Sequence, residues 1–131
     1  MSQENVEIVR TVFEAHARRD WDAVYAHYSP DIEWEGGALW GDWGTAHGLD
    51  GLRSAWRRWL EAFEFARYEA EDFLDLGDDV LVRLRMHARG RGSGAETEQV
   101  LGLIWTVRDG LVVRVHAYAD HGEALEAAGL R

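Results

Sequence analysis

Apolar positions recur at helical spacing along the first half of the chain and at strand spacing along the second. Val6, Val9, Val12, Phe13 and Ala17 fall three and four apart, which predicts a helix over 2–18. Asp20 can cap a second, shorter helix whose stripe is Trp21, Val24, Tyr25 and Tyr28, ended by Ser29-Pro30. A third stripe, Leu52, Ala55, Trp56 and Trp59, predicts a helix over 50–60 with Arg53, Arg57 and Arg58 turned away from it. Between the second and third helices, Ile32–Glu35 alternates as a strand does. Residues 36–44 are too glycine-rich for regular structure and predict a loop.

From Phe65 onward the period is two. Runs over 65–76, 79–91, 96–108 and 111–119 are separated by Gly77-Asp78, Gly92-Ser93-Gly94 and Asp109-Gly110, which are hairpin signals between four long antiparallel strands. Strand alternation then assigns faces. Val80, Val82, Leu84 and Met86 share one side, with Leu101, Leu103, Trp105 and Val107, and with Val113, Val115, Ala117 and Ala119. Arg83, Arg85, His87, Arg89, Arg114, His116 and Tyr118 share the other. The oily face belongs under the helices. The expected fold is α+β, with three N-terminal helices on a strongly bent antiparallel sheet that encloses an apolar pocket, and small Ala117 and Ala119 leave room for that pocket.

Composition narrows the class. The chain has 131 residues, no low-complexity tract, no repeat and a single proline, Pro30, so one domain over 1–131 is expected. It has no cysteine, which excludes a disulfide framework and a thiolate nucleophile. The net charge of −10 repels a polyanion, so no nucleic-acid partner is expected. Residues 1–5 lack the features of a signal peptide, and no apolar run approaches the roughly 18 residues of a membrane span, so the expectation is a cytoplasmic protein with no membrane partner.

Several residues are candidates for binding or chemistry. Trp40 and Trp43 lie in the glycine-rich loop, and either cover a pocket mouth or pin the loop onto the core. His47 stands beside them, able to reach a ligand or to face water. Asp120 follows the last strand, but with Glu123 three residues on it reads as a capping box. The six histidines show no metal-ligand spacing, so no metal is expected, and no cofactor either. Gly90-Arg91-Gly92-Ser93-Gly94 joins two strands without a following helix and reads as a turn, not a phosphate loop.

Several phrases carry a resemblance across nearly the whole chain. They are Glu4-Asn5-Val6-Glu7-Ile8-Val9-Arg10, Pro30-Asp31-Ile32-Glu33-Trp34, Gly48-Leu49-Asp50-Gly51-Leu52-Arg53, Trp105-Thr106-Val107-Arg108-Asp109-Gly110 and the segment 118–130. On these the chain resembles the SnoaL-like branch of the nuclear transport factor 2-like superfamily, whose relatives include ketosteroid isomerase and polyketide cyclases. The resemblance implies a cone-shaped fold with an apolar pocket and a homodimer through the outer sheet face. It places Glu35 where the isomerase carries its proton-moving carboxylate. The isomerase's oxyanion tyrosine falls on Val12 and its second acid on Leu103, while the cyclases' acid on the last strand falls on Ala117. Both constellations are therefore broken. His16, one helical turn beyond Val12, is the remaining partner for Glu35 in an acid–base pair, or else a core histidine.

The expected ligand-binding set is Val12, Trp40, Trp43, His47, Trp56, Trp59, Leu101, Leu103, Trp105, Val115 and Ala117. The expected partner is a hydrophobic small molecule. Its fate is either turnover by a cofactor-free isomerase-, cyclase- or hydrolase-like enzyme, or retention by a non-catalytic binding module.

Overall fold

The computed structural model describes residues 2–36 and 44–130. Helix α1 spans Ser2–Ala17, α2 Trp21–Ala26, α3 Gly48–Glu61 and α4 His121–Ala127. The strands are β1 Tyr28–Glu35, β2 Thr45–His47, β3 Phe63–Asp75, β4 Asp79–Gly90, β5 Glu96–Arg108 and β6 Leu111–Tyr118. Helix α2 starts where the sequence put its cap: the Asp20 carboxylate accepts from the Ala23 N–H at 3.2 Å. It ends earlier than expected, because Tyr28 leaves the helical stripe and opens β1 as a buried core residue.

The strands form one sheet in the order β2-β1-β6-β5-β4-β3. The four long strands β3 to β6 pair antiparallel, as their hairpin signals require. At the tight turn between β5 and β6, Asp109 and Gly110 both take positive φ, 53° and 79°, the geometry an Asp-Gly step supplies at least strain. The sheet as a whole is mixed and not purely antiparallel, since β1 runs parallel to β6. A parallel pair needs a long connection, and β1 and β6 lie at opposite ends of the chain, so no local turn signal reports their pairing. Pro30, which has no N–H to give a ladder, falls where the β1–β6 pairing skips from Tyr28 to Glu33. The short strand β2 pairs with the end of β1 and was not anticipated.

The face assignment holds in β4 and β5. Val80, Val82, Leu84, Met86, Leu101, Leu103, Trp105 and Val107 are all buried in one core. Helices α1 and α3 cover this face: Phe13 meets Trp105 edge-on with ring centroids 5.3 Å apart, and Trp56 meets Trp34 at 5.4 Å. In β6 the assignment changes phase. The β5–β6 register shifts between Thr106 and Val107, so Val112 is buried where Val113 was expected. Ala119 lies beyond β6 and is exposed, not inside.

Helix α4 packs on the opposite face of the sheet. A Cβ placed on Gly102 would lie 2.5 Å from the Ala124 Cβ, so the missing side chain is what lets α4 approach β5. The expected capping box starts this helix: Asp120 accepts from the Glu123 N–H at 2.8 Å, and Glu123 accepts from the Ala119 N–H at 3.2 Å. Elsewhere on this face, ion pairs run across the strands. Glu71 meets Arg83 and Arg85, Arg85 meets Glu98, and Arg89 meets both Glu64 and Glu96.

Candidate functional site

The end of α1, the start of α2, the end of α3 and the edge strand β3 do not close on one another. They leave a cavity of about 390 Å³ lined by Phe13, His16, Ala17, Arg19, Trp21, Leu60, Ala66, Arg67, Tyr68 and Glu69. That volume is at the small end of ligand sites, which run from roughly 300 to 1,000 Å³. Phe13, His16 and Tyr68 also line a much smaller recess behind it, about 20 Å³, bounded by Val12, Trp34, Trp56, Leu84, Leu103 and Trp105. The recess has room for about one water. Its walls are aromatic and aliphatic, and Trp105 Nε1, buried there, has no hydrogen-bond partner.

His16 stands at the neck between the two spaces. Its ring meets Trp21, Trp56 and Tyr68 edge-on, with centroids 4.9, 5.3 and 5.4 Å away. Burial, and secondarily the charge of Arg19, push its pKa down from 6.5 to about 4. The imidazole is therefore neutral near pH 7, with one nitrogen to donate and one to accept. Tyr68 is held differently. Its hydroxyl oxygen accepts a hydrogen bond from Trp59 Nε1, which leaves the phenolic proton available to another acceptor. Burial pushes its pKa up to about 12, against smaller opposing effects of that hydrogen bond and of Arg19. The site thus presents a neutral histidine and a protonated tyrosine in a largely aromatic enclosure.

Glu35 is not in this enclosure. Trp34 points to the core, so strand alternation turns Glu35 to the opposite face of the sheet. There its carboxylate accepts from Arg114 at 2.8 Å and contacts His116 Nδ1, whose ring stacks on Tyr118 at 4.2 Å. The expected Glu35–His16 pair is not formed, because the sheet lies between the two side chains. The residues themselves carried this correction: the phase that puts Ile32 and Trp34 inside necessarily puts Glu33 and Glu35 outside.

Of the expected ligand-binding residues, Val12, Trp56, Leu103 and Trp105 border the recess. Trp59 reaches the site through Tyr68. Leu101, Val115 and Ala117 are packed in the core and line neither space, so the room that Ala117 seemed to leave is filled. His47 is exposed in β2 and likewise lines neither. Trp40 and Trp43 lie outside the described residues. Tyr68, Trp34 and Arg19 were missed. The alternation of Ala66, Tyr68 and Ala70 on one side of β3 was the available signal for Tyr68; it runs unbroken from Phe65 to Ala70, with register shifts only at either end. Among the described residues, no group of three or more acidic or histidine side chains could hold a metal ion, and no helix is long and apolar enough to cross a membrane.

The sequence matches the SnoaL-like domain over residues 9–115. No curated protein matches it. Among solved structures, the chain is similar to an NTF2-like protein of unknown function from Burkholderia pseudomallei, with 25% identity and a TM-score of 0.79 over 94% of this chain and 95% of that one. It is similar also to TerC co-crystallised with polyporic acid, with 23% identity and a TM-score of 0.77 over 96% and 98% of the two chains. A third likeness is to a putative polyketide cyclase from Sinorhizobium meliloti, with 24% identity and a TM-score of 0.68 over 85% and 93%.

Proposed function

The chain belongs to the SnoaL-like domain family, and on that premise we propose that it is a small-molecule pocket protein whose ligand is a hydrophobic, flat compound bearing a hydrogen-bonding oxygen. The observation that carries this reading is the cavity of about 390 Å³ that narrows onto an aromatic recess, with His16 and Tyr68 meeting at the neck. Stacking and edge contacts with Phe13, Trp21, Trp56 and Tyr68 suit a planar body. The two polar groups at the neck suit one oxygen.

A cofactor-free acid/base enzyme of isomerase, cyclase or hydrolase type is the second reading. It is favoured by the neutral His16, whose ring makes no hydrogen bond among the described residues, next to a tyrosine that keeps its proton. Binding stands first because a base with a pKa of about 4 takes a proton poorly at neutral pH. The outer sheet face, with its arginines, acids and the His116–Tyr118 stack, is the surface through which we infer a homodimer.

Ala17 is exposed at the cavity rim, so Ala17→Trp fills the cavity without disturbing the core. Titration of 2-naphthol, followed by quenching of tryptophan fluorescence, is expected to give saturable binding. Ala17→Trp is expected to weaken it at least about tenfold at unchanged melting temperature. Glu35→Gln, on the far side of the sheet, is expected to stay within a few-fold of the parent. Equal affinity in the parent and Ala17→Trp would move the ligand site elsewhere. A strong loss in Glu35→Gln would restore the outer carboxylate to the site.

A further inference from the structure

One arginine at the cavity stands apart from the ion pairs that occupy the others on the sheet. Against 24 acidic residues the sequence has 14 arginines and no lysine, and Arg83, Arg85, Arg89 and Arg114 on the outer face are all paired with acids. Arg19, which lines the cavity, has no carboxylate within 4.0 Å among the described residues. Arg67 also borders the cavity, but its guanidinium lies over the Phe65 ring, 5.2 Å from the centroid, and that ring meets His87 on the outer face of the sheet.

Arg19 is also held in an unusual way. It terminates α1 with φ 58°, its N–H donating to the His16 carbonyl at 3.0 Å, while Asp20 N–H donates to the Ala15 carbonyl at 3.0 Å. Glycine is the residue this left-handed terminus favours. An arginine there accepts backbone strain and places its side chain on the cavity wall, beside the groups at the neck. Its charge reaches both His16 and Tyr68. Strain held at a site wall points to use.

We propose that the cavity takes an amphipathic organic anion, with its flat apolar body against the aromatic neck and its carboxylate or acidic enol oxygen between the Arg19 guanidinium and the Tyr68 hydroxyl. This rests on the pocket reading above and deepens it by naming the ligand class. Arg19 supplies the charge. Tyr68, its oxygen already engaged by Trp59, supplies a directed O–H donor. A neutral isostere loses the charge-assisted contact and keeps only the apolar one.

The test compares 2-naphthoate with 2-naphthamide, which share the ring system and differ in charge, by calorimetric titration near neutral pH. The parent protein is expected to prefer the naphthoate by about tenfold or more. Arg19→Gln is expected to erase that preference while the amide affinity moves less than about threefold. Arg19→Gly, which the left-handed backbone favours, guards against a folding artefact: it is expected to raise the melting temperature and still lose the preference. If the amide binds the parent as tightly as the naphthoate does, or if Arg19→Gln weakens both ligands alike, the anion assignment is overturned and the pocket reading stands. If neither ligand binds, both fall.

Discussion

His16 shows how one side chain's surroundings set its chemistry. An imidazole packed against Trp21, Trp56 and Tyr68 loses hydration, and Arg19 opposes any positive charge it gains. Its folded pKa of about 4 lies below the 6.5 of an unfolded histidine. Between those values the unfolded chain binds more protons than the folded one, so stability falls as pH drops from about 6.5 to about 4 and is independent of this group above that window. The full effect is at most about 3 kcal/mol. Chemical denaturation across the window is expected to show a slope for the parent that His16→Phe flattens. An identical slope in both would mean that the ring is solvated and is no part of an apolar neck.

At the scale of elements, Gly102 decides whether α4 can dock. The Ala124 Cβ, the His121 Cα and the Asp120 carbonyl all crowd the space where its side chain would stand. Two of these three atoms are backbone and cannot rotate away. Gly102→Val is therefore expected to lift α4 from the outer face and cost about 1–3 kcal/mol, in the range of other overpacked sites. Faster proteolytic cutting within 119–128 than in the parent would report the lifted helix. Unchanged cutting and unchanged stability would show that α4 contributes little to the fold. The capping box of this helix was legible in the residues Asp120 and Glu123, because it depends only on local spacing. Its docking face was not, because a glycine in a strand looks the same whether a helix or water lies above it.

For the whole molecule, the two faces of the sheet divide the work. One is covered by α1 and α3 and carries the cavity at its edge, while the other displays paired charges around Glu71, Arg85, Glu98, Glu35 and Arg114. If the outer face joins two copies, Arg85→Glu places like charges beside Glu71 and Glu98 and is expected to shift a sedimenting dimer to monomer. A parent chain that sediments as a monomer at tens of micromolar would remove that assembly. Each exposed pair by itself is worth roughly 0–1 kcal/mol, so the same change is expected to leave the protomer folded.

The helical stripes, the four long strands, their hairpins and the buried faces of β4 and β5 were readable from residue order alone. Each of these follows from a backbone period or a turn preference acting over a few neighbouring residues. Packing between segments far apart in the chain is what joins β1 to β6 in parallel, buries Val112 in place of Val113 through a register shift, and leaves the hollow beside His16 and Tyr68 and not over Ala117. Those depend on which distant segments meet and how fully they fill the space between them. Glu35 lies on the border of the two: the alternation that buries Trp34 was readable in the chain, and the partners that hold the carboxylate outside became visible only once β1 lay against β6.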